Sequence, residues 1–153
     1  MSFYFLPGRY SERQMAIIDK FGPRFAASTI LLYLRDTPDT SIIYEQERLE
    51  QLGVSVTTHN ALPDSILYNV ARDRLYLIEA GISHRAVTHK RRQELEVLFQ
   101  KCSAIRIYIS VFLNHAEFKR YASLIAWESH VWIAEMPEHM IHYNGDRYIA
   151  VHG

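Results

Sequence analysis

One cysteine, Cys102, is all that the 153-residue sequence contains. An internal disulfide is therefore excluded, and a reducing compartment suits the chain, so a cytoplasmic location is expected. No stretch approaches the roughly 18 uninterrupted apolar residues that a membrane span needs. The opening MSFYFLPGRY lacks the basic start and long apolar run of a secretory signal. There is no repeat, low-complexity tract or Gly/Ser linker, and none of the patterns GxGxxG, GxxxxGK(S/T) or GxSxG occurs. An excess of one charge is missing too: 17 Lys and Arg balance 17 Asp and Glu. That counts mildly against a nucleic-acid binder unless the basic residues gather on one face.

Hydrophobic residues make up 48% of the chain and charged residues 22%, the balance of a soluble globular protein with enough apolar material for one core. The length is that of one ordinary domain, and residues 1–153 are read as such. Ser11 reads as the N-cap of a helix over 11–21, closed by Gly22-Pro23. Leu31–Leu34 is a short apolar run ahead of a turn over Arg35-Asp36-Thr37-Pro38-Asp39. A charged short helix over 45–52 ends at Gly53. Ile66–Tyr68 and Leu75–Ile78 are apolar on both faces, the mark of covered strands, and Val70-Ala71-Arg72-Asp73 joins them tightly. A helix of about fifteen residues over 87–101 carries Leu95, Leu98, Phe99 and Cys102 on one stripe. The β-branched Ile105–Phe112 is a strand, Asn114 caps a helix to about residue 125, and Val131–Ala134 is a further strand. Asn144-Gly145 is the strongest short hairpin signal. This order predicts an α/β domain, a central mixed sheet flanked by helices. The helix from Val87 is then a right-handed crossover between parallel strands.

A hairpin centred between Ala71 and Arg72 pairs Asn69 with Arg74 and, continued outward, Asp64 with Glu79. Directly opposed side chains share a face with Cβ atoms about 4.5–5.5 Å apart. Two carboxylates about 5 Å apart repel by on the order of 3 kcal/mol at an effective dielectric of about 20. Sheets avoid such a pair unless something positive lies between its members. A hard divalent cation meets the need, because magnesium takes one or two carboxylates together with water and substrate phosphate. By the same reasoning, losing either acid relieves repulsion and leaves the metal-free fold as stable or more so. Asp36 is either a third acid for that metal or a turn-stabilising aspartate beside Thr37-Pro38. His139 and His142 fall on one strand, where a spacing of three points them to opposite faces; with no cysteine partner or third ligand, zinc is not expected. Trp127, Trp132 and the ten tyrosines serve to stack bases or to fill the core and its rim.

Pro63-Asp64 followed by Glu79-Ala80, on a hairpin that leads into a helix and a parallel strand, resembles the PD-(D/E)XK nuclease core. A wider ordered set carries a closer likeness: Tyr33-Leu34-Arg35-Asp36-Thr37, Pro63-Asp64, Leu77-Ile78-Glu79-Ala80 and Ser83-His84 come first. Lys90-Arg91-Arg92, Glu94-Leu95, Trp127-Glu128, Val131-Trp132 and Ile141-His142-Tyr143-Asn144-Gly145 follow. Over residues 25–150 this set resembles the BsuBI/PstI family of type II restriction endonucleases. A PD…E pattern alone arises by chance; the ordered set is specific.

The resemblance implies the C-terminal catalytic domain of a type II site-specific deoxyribonuclease, an enzyme that hydrolyses double-stranded DNA with Mg²⁺ in restriction of foreign DNA. It also implies recognition of a short palindrome and cleavage of both strands as a homodimer. Longer relatives carry an N-terminal region that contributes to recognition, and that portion is expected to be missing from this chain. Asp64 and Glu79 are the implied Mg²⁺ ligands, with the Ala80 carbonyl as a further oxygen. The metal polarises the scissile phosphate and lowers the pKa of the attacking water. Gly81 stands where the (D/E)XK pattern has lysine. Lys90, from the following helix, is the chemical replacement, able to orient water and stabilise charge on the phosphorane. At about 100° per residue, however, Arg91 lies nearer the core-facing stripe of Leu95 while Lys90 turns to solvent, so both stay open. Ser83 contacts a phosphate or caps the helix, and His84 is a general base or a surface imidazole. Arg91 and Arg92 contact the DNA, or the whole run is a solvated basic turn. Two other classes remain. One is a catalytically decayed nuclease fold that binds DNA or protein, which Gly81 and the neutral charge suit; the other is a hydrolase of a non-DNA phosphodiester.

Overall fold

In a computed structural model that describes residues 11–54, 61–81 and 85–145, the apolar and β-branched runs pair into one mixed sheet. Its strands are β1 (Ile30–Thr37), β2 (Thr40–Tyr44), β3 (Ser65–Asn69), β4 (Arg74–Glu79), β5 (Ile105–Phe112), β6 (Ser129–Ile133) and β7 (Ile141–Tyr143). They lie in the order β2-β1-β3-β4-β5-β6-β7. The central hairpin has the expected register, with Ser65 opposite Ile78 and Asn69 opposite Arg74. Asp73 takes a φ of 53° in its turn, and the Asn69 side chain accepts the Arg72 N–H at 3.0 Å. β4 runs parallel to β5, and β5 to β6; the remaining pairs are antiparallel.

Side-chain alternation along the strands feeds two core layers. On one face Leu34, Leu67, Ile78, Ile109 and Trp132 pack against Ile17, Ile18 and Phe21 of the N-terminal helical segment. On the other, Ile66, Leu75, Leu77 and Tyr108 pack against Leu49 of α3 (Gln46–Gln51) and against Leu95 and Phe99, which belong to α4 (His89–Leu98) and its C-cap. Leu95 and Phe99 are fully buried, each contributing about 2–3 kcal/mol of apolar transfer. Gly53 closes α3 at a φ of 89°, where a Cβ would stand 2.6 Å from the Lys101 carbonyl oxygen.

Helix boundaries differ from the expectation, each for a local reason. Ser11 caps α1 (Glu12–Ala16) through a capping box with Gln14, but the helix does not stop at Gly22-Pro23. It widens into a π turn over Ile17–Phe21 and continues as α2 (Gly22–Phe25) with proline in its first turn, a position that needs no proline N–H. α4 is shorter than the expected 87–101. Thr88 is its cap, accepting the Arg91 N–H, and the Val87 N–H is committed to Ser110 Oγ at 2.9 Å. Asn114 caps α5 (His115–Lys119) as expected, yet the Ala122 carbonyl accepts from the Tyr143 hydroxyl and the following residues form turns. Leu31–Leu34 extends into an eight-residue strand, and the turn narrows to Pro38-Asp39. β7 ends at Tyr143, and the second arm of the Asn144-Gly145 hairpin lies outside the described residues. No helix among the described residues is long and apolar enough to cross a membrane.

Candidate active site

The register that opposes Ser65 to Ile78 carries Asp64, just ahead of β3, to the level of Glu79 at the end of β4. By parity with Ile66 and Leu77, both acids belong to the face that α4 covers. Both are buried, with 0% and 1% of their surface exposed. Asp64 Oδ2 accepts the Ala80 N–H at 2.9 Å, and the Asp64 carbonyl accepts the Arg35 N–H at 2.8 Å. The start of β3 is thus tied to β4 on one side and to β1 on the other.

Three guanidinium groups converge on this pair. Arg35 of β1, fully buried, donates Nε to Asp64 Oδ1 at 3.1 Å, Nη1 to the Pro38 carbonyl at 2.7 Å and Nη2 to the Leu62 carbonyl at 2.6 Å. Arg91 of α4 brings Nε and Nη2 each to 2.8 Å from Glu79 Oε1. Its Nη2 also reaches the carbonyls of Ala61 at 3.0 Å and Leu62 at 3.1 Å. Arg85 places Nε 3.9 Å from Glu79 Oε2 and donates Nη2 to the Leu62 carbonyl at 3.2 Å. The positive charge that the opposed acids demand is therefore supplied by the protein itself. The expectation that losing an acid costs no stability consequently does not hold for Asp64, whose loss strands a buried guanidinium.

Burial drives the Glu79 carboxyl up to about 7, and the charge of Asp64 pushes the same way; Arg91 and Arg85 pull it back. Glu79 Oε2 is buried with no hydrogen-bond partner among the described residues. A buried polar atom left without a donor calls for an explanation, and a hard cation is one that fits an anionic oxygen beside a second carboxylate. Among the described residues there is no cluster of three or more His, Cys, Asp and Glu side chains. Two carboxylates with water and a substrate phosphate nevertheless suffice for magnesium.

The other candidate residues divide. Ala80 is buried beside the acids. Arg91 is buried on Glu79, while Lys90, its neighbour, is exposed on the same turn of α4. Arg92 lies with its guanidinium carbon 5.0 Å from the centre of the Tyr108 ring and is 3.7 Å from Glu96. Ser83 and His84 lie outside the described residues. Asp36 is exposed, one position out of phase with Arg35. His139 precedes β7 rather than lying on it, and His142 is bonded to His130 across β6 and β7, Nδ1 to Nδ1 at 2.7 Å.

Sequence reasoning gave Arg35 and Arg13 no role at the site, and counted Arg85 only within the basic run from His84 to Arg92. Arg35 was readable in one respect: it keeps the phase of Tyr33 beyond an apolar run, and a buried arginine must bring a partner. Arg13 carried no local signal, since its contacts are distant in sequence. Gly81, at a φ of 79°, leaves the space of a side chain, and a Cβ there would lie 3.1 Å from Arg13 Nε. An arginine from α1 thus covers the position where the resemblance expects lysine.

The sequence profile of the BsuBI/PstI restriction endonuclease domain matches residues 2–146. Type II restriction enzyme BsuBI of Bacillus subtilis is 40% identical over 147 residues, covering 96% of this chain and 46% of the enzyme. Type II restriction enzyme AplI of Arthrospira platensis is 32% identical over 150 residues, covering 94% of this chain and 46% of the enzyme. The structure of SdaI restriction endonuclease superposes with a TM-score of 0.78 and 31% identity over 88% of this chain and 43% of that one. The chain spans less than half the length of each of these relatives. It belongs to the BsuBI/PstI restriction endonuclease family.

Proposed function

We propose that this chain is the DNA-cleaving domain of a Mg²⁺-dependent type II restriction endonuclease, acting in the cytoplasm on double-stranded DNA as a homodimer. One observation carries the reading. Two carboxylates from adjacent strands are buried together at one end of the sheet, and the Glu79 oxygen Oε2 has no donor among the described residues. Asp64, Glu79 and the Ala80 carbonyl are the groups that would hold the metal. When bound, it would supply Lewis-acid polarisation of the phosphate and a more acidic water.

The protein's own residues do the positioning. Arg35 and the Ala80 N–H fix the Asp64 carboxylate from two sides, and Arg91 fixes Glu79 by one oxygen. With both acids ionised, Arg35, Arg85 and Arg91 leave the cluster one positive charge in excess, which suits an arriving phosphate. Hydrolysis joins the water oxygen to phosphorus and breaks one P–O ester bond, with the leaving oxygen taking a proton. Arg91 and Arg85 are the cations nearest Glu79 for the developing charge; Lys90, on the solvent side of the same turn, is the alternative. Two-fold symmetry would match two such sites to the strands of a palindrome.

A second reading draws on the same arginines. Because they already neutralise both acids, the domain would bind DNA without cutting it. Supercoiled plasmid incubated with and without Mg²⁺ separates the two, with RNA and nucleotide phosphodiesters as parallel substrates. Linear product that requires Mg²⁺ is expected; intact plasmid together with tight DNA binding supports the second reading, and turnover of only the other substrates overturns both.

A further inference from the structure

Beside the acid pair lies a polar cavity of about 170 Å³, lined by Arg13, Gly81, Arg85, Arg120, Glu117 and Tyr121 among others. It opens where β4 and β5 end, since Val111 and Phe112 form its wall. The carboxyl ends of parallel strands are where open α/β sheets bind ligands. Three elements far apart in sequence bring arginines to it: α1, the segment before α4, and the turn after α5. Against three guanidinium groups the lining offers one carboxylate, Glu117, which pairs with Arg13 Nη2. Arg85 is shared with Glu79, at 3.9 Å.

Two details distinguish this cavity from a surface ion pair. Arg13 Nε is buried with no hydrogen-bond partner among the described residues, although Nη2 of the same group is held by Glu117. A donor of that kind is costly to leave unmet. Gly81 forms part of the lining with no side chain, at a φ that favours glycine. A Cβ there would stand 3.1 Å from Arg13 Nε, so any larger residue would press on the arginine.

We propose that this cavity is a phosphate-binding site, in which Arg13, Arg85 and Arg120 hold a nucleic-acid backbone phosphate next to the one at Asp64 and Glu79. Placing that phosphate in DNA rests on the function proposed above; the cavity's affinity for phosphate does not. Arg85, reaching both sites, links them. Glu117 occupies Arg13 until phosphate displaces it, and this competition gives the proposal a distinctive sign. Neutralising Glu117 should strengthen phosphate binding, whereas a purely structural ion pair predicts no gain.

The test is a titration of ¹⁵N-labelled protein with inorganic phosphate, against sodium chloride of equal ionic strength, following the Gly81 amide and the Arg13 Nε–H. Arg13 helps to seat α1, so the variants are Arg120→Gln, on an exposed residue, and Glu117→Gln. Saturable shifts with phosphate are expected and none with chloride; Arg120→Gln should weaken the affinity about tenfold and Glu117→Gln strengthen it several-fold. The absence of a saturable phosphate shift overturns the site, as do shifts that neither variant alters. In a Mg²⁺-free duplex DNA titration, Arg120→Gln should also lower the salt slope of binding by about 0.9, one phosphate's worth. An unchanged slope beside intact phosphate binding overturns the backbone assignment and leaves a site for free phosphate or a nucleotide. If the wild-type chain binds no DNA, the functional reading fails and the phosphate titration alone decides the cavity.

Discussion

Replacing Arg35 with methionine leaves the fully buried Asp64 carboxyl without the guanidinium that faces it at 3.1 Å. Removing one partner of a buried ion pair costs about 3–5 kcal/mol, whereas replacing both by apolar residues of similar volume is often close to neutral. Arg35 also donates to the Pro38 and Leu62 carbonyls, so about 4 kcal/mol is expected for Arg35→Met. That is a large share of the roughly 5–15 kcal/mol that holds a domain together, and at this chain length it lowers Tm by about 8–16 °C. Asp64→Leu should cost a similar amount, because it strands the guanidinium instead. The double variant should cost only about 1–2 kcal/mol, giving a coupling of several kcal/mol in a double-mutant cycle. Urea unfolding at neutral pH, with the midpoint compared at constant slope, measures all four corners. Single variants that each lose less than about 1 kcal/mol and add without coupling would refute the idea that this pair anchors β1 to β3.

Glu79 gives a pH signature. Between 4.5 and about 7 the unfolded chain ionises this group while the folded chain keeps its proton. Stability therefore falls as pH rises through that window. Glu79→Gln should flatten the fall and exceed wild type by on the order of 3 kcal/mol at pH 8, at about 1.4 kcal/mol per pKa unit; equal stability there contradicts the burial argument. Arg91→Ala should lose about 3 kcal/mol of stability together with most of the cleavage rate, while Lys90→Ala should change stability by less than about 0.5 kcal/mol and cleavage by only a few-fold. Thermal melts and single-turnover cleavage check both, and the opposite ranking returns the cationic role to Lys90. Gly53→Ala, forced to a φ of 89° with its Cβ 2.6 Å from the Lys101 carbonyl, should cost about 2 kcal/mol or more. A loss below about 0.5 kcal/mol in urea unfolding would show that the α3 terminus and the turn after α4 adjust freely.

The β3–β4 hairpin was legible because two apolar runs flank one tight turn; its register followed from centring that turn between Ala71 and Arg72, which a bulge would have shifted by one residue. That register puts Asp64 level with Glu79. Helical angle arithmetic likewise turned Arg91 inward and Lys90 outward, as observed. Arg35 stayed hidden because Arg-Asp-Thr-Pro-Asp has the composition of a turn; the strand persists through it because Asp64 and the Leu62 carbonyl supply partners from another element. Helix lengths are not legible where the deciding bond is tertiary, as with Ser110 on Val87 and Tyr143 on Ala122. Arg13 was illegible for the same reason, since its neighbours Gly81 and Glu117 lie far along the chain.

Under the proposed function, Asp64 and Glu79 together hold the divalent ion used for cleavage. Crystals soaked in Mn²⁺ above pH 7, where Glu79 is ionised, test it most directly through anomalous density. The expected result is one peak within bonding distance of Glu79 Oε2 and of an Asp64 carboxylate oxygen, absent from crystals of Glu79→Gln. A peak elsewhere, or none between these two carboxylates at Mn²⁺ concentrations that support DNA cleavage, would contradict the claim.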